Sequence, residues 1–98
     1  MNKTLAKKQR LLDLNALFGK RLAELRKERN LTQSDIAEVI GYGRPLVSKI
    51  EHGQRALNIL EIFDYATALS LEPEILLDEL RGIVLEYDSA RASQAEKR

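Results

Sequence analysis

The chain has 98 residues, a length that fits one small domain; 44% of them are hydrophobic and only 5% are aromatic. The absence of Cys excludes disulfides, zinc fingers and thiol catalysis, and no apolar run is long enough to cross a membrane. The net charge is only +1, but residues 1–30 hold nine Lys and Arg against three acids, whereas residues 58–90 hold one against eight. A polyanionic partner would therefore meet the N-terminal half of the chain.

The spacing of apolar residues predicts an all-α fold of five helices, because no apolar/polar alternation lasts long enough for a strand. Residues 1–14 are basic and are interpreted as an arm or a short helix. The first long helix is expected from about Asn15 to Arg29, and Asn30 suits its C-terminal stop. Its apolar stripe follows i, i+4, i+7 spacing and consists of Phe18, Leu22 and Leu25.

Two short helices joined by a glycine turn are predicted next. Thr32 and Asp35 form a capping-box pattern at the start of the second helix. Gly41 ends that helix, since glycine adopts the left-handed conformation most easily. The third helix begins near Arg44 with Pro45 in its first turn, where the missing N–H has no consequence. This is the layout of a helix-turn-helix, whose second helix enters the DNA major groove.

The outer face of this third helix, residues 44–52, is the predicted reading surface. Val47 and Ile50 are expected to point inward, which leaves cationic and polar side chains outside. The predicted base-reading residues are Arg44, Pro45, Ser48 and Lys49. Backbone N–H groups at helix N-termini and nearby polar side chains favour phosphate oxygens. The predicted phosphate contacts are Gln33, Ser34, Gly43, His52 and Arg55.

The fourth helix is predicted to begin after Asn58, which forms a second capping-box pattern with Glu61. Its buried face is expected to consist of Ile59, Ile62, Phe63, Ala66 and Leu69. Pro73 opens a long fifth helix that runs to Ala90 or beyond and frays after it.

Apolar residues repeat along the fifth helix at the alternating three- and four-residue steps of a heptad. Because one small domain cannot easily cover both rows of this stripe, we predict a homodimer interface on this helix. The residues predicted to form it are Leu76, Leu80, Ile83, Val84 and Tyr87. The alternative is a single helix that faces the core of its own domain.

Residues 18–77 resemble the Xre-type helix-turn-helix family, which includes the phage repressors and Cro proteins. The resemblance is carried by the segments FGKRLAELRKERNLTQSDIAEVIG, VSKIEHG and EIFDYATALSLEPEIL. It implies a five-helix repressor-like domain that binds DNA as a dimer, with Gln33 on a phosphate and a buried ion pair between Arg26 and Glu51. We therefore divide the chain into an arm or short helix (1–14), a DNA-binding domain (15–77) and a C-terminal extension (78–98).

Two positions depart from the family pattern. Gly43 stands where a polar residue is usual at the start of the recognition helix, so a side-chain cap is missing. Pro45 stands where many relatives have a polar base-reading side chain, and it cannot donate a hydrogen bond. Arg44 and Lys49 are therefore expected to do most of the direct reading.

The sequence predicts a sequence-specific transcriptional regulator that acts as a homodimer on a near-palindromic operator. No nucleophile–base pair or cofactor motif points to an enzyme, and the single His52 cannot build a usual metal site, so neither cofactor nor metal is expected. An alternative is an antitoxin-like module that binds a toxin and autoregulates by DNA binding. A contact with RNA polymerase also stays open. The expected location is the cytoplasm, for a bacterial or phage-encoded protein.

Overall fold

The structure, a computed structural model, describes residues 3–96 as five helices joined by short connections, with no strand in that range. The helices are α1 (Lys3–Glu28), α2 (Gln33–Ile40), α3 (Arg44–Glu51), α4 (Ile59–Ala68) and α5 (Pro73–Glu96). The predicted all-α, five-helix fold is confirmed. Within the described residues, no helix is both long enough and apolar enough to cross a membrane.

One hydrophobic core joins all five helices. It is aliphatic apart from one aromatic ring, as the low aromatic content requires. Its buried members are Leu22, Leu25, Ile36, Ala37, Ile40, Val47, Ile50, Tyr65, Ala66, Leu69, Leu76 and Leu80. The α2–α3 pair packs on α1 and α4, so the two short helices are held by the longer ones.

The predicted helix ends of the short helices are confirmed. The Asp35 amide donates to Thr32 Oγ1 at 3.0 Å, and the Thr32 amide donates to Asp35 Oδ2 at 2.7 Å. The bond from the Thr32 backbone lowers the pKa of the Asp35 carboxyl. Asn58 and Glu61 exchange the same pair of bonds at the start of α4. Gly41 adopts a φ of +79°, which closes α2 in the left-handed conformation.

Close contact between α1 and α3 depends on Gly19. A Cβ at this position would overlap the carbonyl oxygens of Ile50 and Glu51. Glycine therefore allows α1 to pass directly over the C-terminal end of α3.

The start of the first helix was predicted wrongly. α1 begins at Lys3 rather than near Asn15, and no separate short helix precedes it. The added turns are helical because they pack along the end of α5. Leu14 is buried, and Arg10 forms a two-bond ion pair with Asp88 at 2.9 Å for each bond.

The buried face of α4 also differs from the prediction. Ile62, Ala66 and Leu69 pack in the core as predicted, but Ile59 and Phe63 are 67% and 44% exposed. Glu61 and Tyr65 are buried in their place, in one row with Leu69. These residues follow i, i+4, i+8 spacing on one side of the helix. The Glu61 carboxylate can be buried because Arg55 and the Asn58 amide bind it. An apolar stripe consequently faces outward.

The prediction that α5 presents a heptad stripe to a second copy is wrong for two of its five residues. Leu76 and Leu80 are 0% and 6% exposed inside their own domain. The physical reason is that this first part of α5 packs in the hydrophobic core, in one cluster with Leu22 and Leu25 of α1 and Tyr65 of α4. Tyr87 is also occupied within its own domain, since its hydroxyl donates to Asp13 Oδ2 at 2.6 Å. Helix α5 continues to Glu96, past the fraying expected after Ala90.

Candidate nucleic-acid interface

Helix α3 presents one buried side and one open side. Val47 and Ile50 are 0% and 2% exposed, as predicted. Arg44, Pro45 and Lys49 lie on the exposed side, and none of them makes a side-chain hydrogen bond or ion pair within residues 3–96. Their functional groups are therefore available to a ligand. The base-reading roles assigned to them from the sequence stay predictions.

The end of this face is formed by Ser48 and His52. His52 Nδ1 lies 2.7 Å from the Ser48 carbonyl oxygen and 3.4 Å from its hydroxyl. Because a carbonyl only accepts hydrogen bonds, Nδ1 carries the proton in this geometry. Nε2 then faces outward without a proton in the neutral ring. His52 can donate to a phosphate oxygen only as the imidazolium.

Gly43 is the N-cap of α3 in an extended conformation, with φ −75° and ψ 154°. It makes no side-chain capping bond, as the sequence requires. The first amides of the helix have no intrahelical acceptor. Its backbone can therefore approach a phosphate without a side chain in the way, which is the role predicted for it.

Glu51 binds both Arg26 of α1 and Gln33, a predicted phosphate contact. Arg26 Nε donates to Glu51 Oε2 at 2.7 Å and Arg26 Nη2 donates to Oε1 at 3.1 Å, so the implied buried ion pair is present. Gln33 Nε2 donates to the same Oε1 at 2.9 Å. The pKa of Arg26 is raised mainly by this bond to Glu51. The carboxylate thus fixes the first turn of α2 against the last turn of α3.

This link to Gln33 was not predicted. Gln33 and Glu51 stand 18 residues apart, and no local spacing rule joins them. The amide nitrogen of Gln33 has two N–H donors, of which one is used on Glu51. The other donor has no acceptor among the described residues, so it is available to a phosphate oxygen.

Five arginines of the described chain bind partners inside the protein. The internal pairs are Arg10 with Asp88, Arg21 with Glu79, Arg26 with Glu51, Arg29 with the Leu69 carbonyl, and Arg55 with Glu61. Arg55 was predicted to bind phosphate. Its guanidinium lies 2.7 Å from the buried Glu61 carboxylate and 5.8 Å from the centre of the Tyr42 ring. It lowers the pKa of Glu61 and acts as a structural side chain, so we remove it from the phosphate set.

Two lysines of α1 were missed at the sequence level. Lys20 and Lys27 line one cleft together with Gln33 and His52. Neither ammonium lies within 4.0 Å of a carboxylate anywhere in the described part of the chain. They are seven residues apart and so share one helix face. That spacing was the available signal, but it gained meaning only once α1 was seen to pass beside α2 and α3.

A second cleft lies on the other side of Gln33. Thr32, Ser34 and Arg44 line it, at the N-terminal end of α2. The partial positive charge of a helix N-terminus and a free guanidinium meet here. Gln33 therefore stands between two cationic clefts, one facing α1 and one facing the start of α3. Within residues 3–96, no group of three or more His, Cys, Asp or Glu could hold a metal ion.

Comparison with known proteins places this geometry in a family. The profile of the helix-turn-helix family matches residues 22–76, which is more than half of the chain. An uncharacterized HTH-type transcriptional regulator of Sinorhizobium fredii, y4dJ, is 30% identical over 60 residues, which is 61% of this chain and 78% of that protein.

Solved structures agree with this placement. The restriction-modification controller protein C.AhdI from Aeromonas hydrophila is 41% identical with a TM-score of 0.61, over 67% of this chain and 94% of that one. An XRE-family like protein from Pseudomonas syringae pv. tomato is 26% identical with a TM-score of 0.62, over 82% and 93% of the two chains.

The fold, the exposed α3 and these relatives define a transcriptional regulator with a DNA-binding fold, a class of protein that is not enzymatic. The chain belongs to the helix-turn-helix family, of the Xre type.

Proposed function

We propose that this protein recognises a specific DNA sequence by placing α3 in the major groove. The observation that carries the proposal is the division of its cations. Apart from Arg44, the arginines around the site are bound to internal partners, whereas Arg44, Lys49, Lys20 and Lys27 make no ion pair within the described residues. These four side chains surround the open face of α3. A surface of unpaired cations around an exposed helix suits a duplex.

The proposed contacts divide into reading and anchoring groups. Arg44 and Lys49 donate to guanine O6 and N7, Ser48 binds a base or a phosphate, and Pro45 touches a thymine methyl. The anchors hold the backbone in register and carry no sequence information. They are Gln33, Ser34, Gly43, Lys20 and Lys27, together with His52 at the end of α3.

We propose further that the protein acts as a homodimer on a near-palindromic operator, in the cytoplasm. The outward stripe of α4, formed by Ile59, Leu60 and Phe63, supports this. These side chains are 67%, 68% and 44% exposed. Large apolar side chains grouped on one exposed face mark an interaction surface. This α4 stripe replaces Leu76 and Leu80 as the dimer contact, while Ile83, Val84 and Tyr87 are half-buried against their own domain.

The position of the α4 stripe suits a dimer that reads DNA. Helix α4 begins at Ile59, and only residues 52–58 separate it from the end of α3. A two-fold axis at the α4 stripe would therefore keep both copies of α3 close to one face of the dimer. Two recognition helices on one face can enter successive major grooves about 34 Å apart.

The proposal is tested by selecting a binding site from random duplexes and measuring affinity across a salt series. Arg44→Ala should cost about 1–3 kcal/mol on the selected site and relax its sequence preference, since a base-reading donor is lost. Gln33→Ala should weaken all sites by a similar factor, since phosphates are the same everywhere.

Arg81→Ala is the matched control. Arg81 is an exposed arginine of α5 whose nearest acid, Asp78, lies 3.9 Å away. Its removal should leave the preference for the selected site unchanged. Affinity that does not depend on salt for any duplex, or an Arg44→Ala variant that keeps its preference, contradicts the proposal.

A further inference from the structure

The first turns of α1 form a structural addition to the matched domain. Residues 3–17, here called the arm, precede the family match, which starts at residue 22. The arm is fixed to the end of α5 by the two-bond ion pair between Arg10 and Asp88 and by the Tyr87–Asp13 hydrogen bond. The buried Leu14 adds an apolar contact. The arm is therefore an ordered helix held in one position.

Two leucines of this arm face outward. Leu11 and Leu12 are 58% and 56% exposed. They lie one helical turn before Asn15 and Ala16, so each pair shares a side of α1. Asn15 lines a crevice with Leu57, and Ala16 lies so close to Gly53 that a Cβ on that glycine would fall 2.6 Å from its Cα.

The loop of residues 52–58 thus crosses α1 one turn away from these leucines, and the same loop leads into the α4 stripe. Leu57 is partly buried in this loop, and Ala56 beside it is exposed. Apolar surface therefore continues from the arm across the loop to Ile59 and Leu60. The loop therefore connects the side of α1 that carries these leucines with the start of the α4 stripe.

The α4 stripe alone offers too little surface for a stable dimer. It consists of only three side chains, and these are exposed by 44–68%. A specific interface covers about 800 Å² on each partner. Leu11 and Leu12 add further apolar surface toward that requirement.

We propose that the arm binds a second copy of this chain through Leu11 and Leu12, as the outer part of the interface that is centred on the α4 stripe. This inference rests on the proposed homodimer. In a two-fold dimer the same patch is used on both copies, so each arm reaches the partner's α4 side. Because the arm is already fixed to α5, little conformational entropy is lost when it binds.

Charge favours the same partner. The arm carries Lys7 and Lys8, which make no ion pair within the described residues. Residues 58–90 hold eight acids against one arginine, and three of these acids, Glu61, Glu79 and Asp88, are already paired with arginines of the same copy. The arm of one copy would meet the acidic half of the other. Exposed leucines contribute nothing to phosphate binding, which argues against DNA as the ligand of this surface.

The test is sedimentation equilibrium of the full chain without DNA, over a concentration series. Leu11→Glu combined with Leu12→Glu should raise the dimer dissociation constant about tenfold or more, because two apolar side chains are lost and four charges enter the dimer. The control is Leu85→Glu, a leucine of α5 that is 54% exposed. It should leave the dissociation constant within about twofold, since it lies on α5 and belongs to neither the arm nor the α4 stripe. Helical circular dichroism of each variant checks the fold.

A third variant separates this inference from the proposed function. Leu60→Glu, in the α4 stripe, should abolish the dimer. Suppose that Leu60→Glu abolishes the dimer while the arm variant dimerises like the wild type. The inference about the arm is then overturned, and the proposed dimer stands. If the wild type is monomeric at every concentration, the proposed dimer fails and the arm inference fails with it. An arm variant that loses DNA affinity but keeps its dimer would also overturn the inference, because this result would show that the arm binds DNA.

Discussion

At the scale of single residues, Glu51 connects stability with recognition. Its carboxylate binds the guanidinium of Arg26 and the amide of Gln33, and it is 8% exposed. A buried carboxylate with this many donors is satisfied only in one arrangement of α1, α2 and α3. The position of the Gln33 side chain is therefore set by the same carboxylate that binds the buried Arg26.

Replacement of Glu51 by Leu should destabilise the fold by about 3–5 kcal/mol, because the buried Arg26 guanidinium loses its counter-charge. The double variant Arg26→Met with Glu51→Leu should be less destabilised than the sum of the two single variants, since no unpaired charge remains. Urea unfolding of the three variants measures this. Strict additivity would show that the pair contributes no coupling.

For the hydroxyl of Tyr65 we predict the opposite effect on stability, because its removal should not destabilise the fold. It is buried and has no hydrogen-bond partner among the described residues, and burial raises its pKa. Tyr65→Phe should therefore leave the free energy of unfolding unchanged or raise it, since a buried unpaired polar group costs about 1–3 kcal/mol. Thermal and urea unfolding provide the measurement. Tyr65→Ala is the control and should lose about 3–5 kcal/mol of packing. Marked destabilisation by Tyr65→Phe would reveal a partner for the hydroxyl.

At the scale of helices, the approach of α1 to α3 can be tested with two glycines. Gly19→Ala should be strongly destabilising, because its Cβ would meet backbone carbonyls that cannot move aside. Gly82→Ala is the matched control. It lies inside α5 with nothing within 4 Å of an added Cβ, so it should stabilise the protein by about 0.5–1 kcal/mol. Equal effects of the two substitutions on urea unfolding would contradict the close packing of α1 on α3.

The attachment of the arm to α5 should depend on pH. The pKa of Asp13 is lowered mainly by the Tyr87 hydroxyl, and that of Asp88 mainly by Arg10. Groups with a lowered pKa stabilise the folded state above their unfolded value, near 3.9, and lose that effect as pH falls through the folded value. We expect the arm to loosen below about pH 4. Backbone ¹⁵N relaxation at pH 6 and pH 3 measures this.

The control for the pH experiment is the double variant Asp13→Asn with Asp88→Asn. It lacks both titrating groups, so its arm should be equally mobile at the two pH values. A wild-type arm that stays as rigid at pH 3 as at pH 6 would show that the apolar contact of Leu14 suffices to hold it.

What the sequence predicted at this scale followed from local patterns. Thr32, Gly41 and Asn58 mark helix ends because their capping bonds involve residues only three or four positions away. The start of α1 was missed, since residues 3–14 have no capping signal and are ordered by α5, about 75 positions further along. The outward direction of Ile59 was missed because hydrophobicity alone does not show which residues a neighbouring helix will cover.

For the candidate site, too, local patterns predicted one part and missed another. The exposure of Arg44 and Lys49 followed from the helical period and the inward-facing Val47. The contact of Gln33 with Glu51 and the removal of Arg55 depended on partners distant in sequence or on competition by a buried acid. Such competition becomes visible only when the positions of all charges are known.

At the scale of the whole molecule, shape and charge act together. The described chain is elongated, with extents of 47 × 23 × 21 Å. Its basic and acidic residues are concentrated in opposite halves of the sequence. A dimer that presents two α3 helices on one side would direct its unpaired lysines to the DNA and keep many of its acids away from it.

The salt dependence of DNA binding should show how many of these lysines lie near phosphates. With Lys20 and Lys27 each near one phosphate, a dimer neutralises about four phosphates, and log K should fall against log salt with a slope of about −4. A duplex with a single half-site, bound by one copy, should give about −2. Fluorescence anisotropy on the two duplexes distinguishes these cases. Identical slopes would show that one copy makes all the contacts.

The exposed face of α3 is separate from the hydrophobic core, and this separation has a practical consequence for redesign. Arg44, Pro45 and Lys49 project from a helix whose other side, Val47 and Ile50, belongs to the core. The residues that hold the fold and the residues proposed to read DNA can therefore be varied separately. A library randomised at those three positions should yield regulators with new operators at nearly constant melting temperature. The protein would then serve as a scaffold for orthogonal genetic switches.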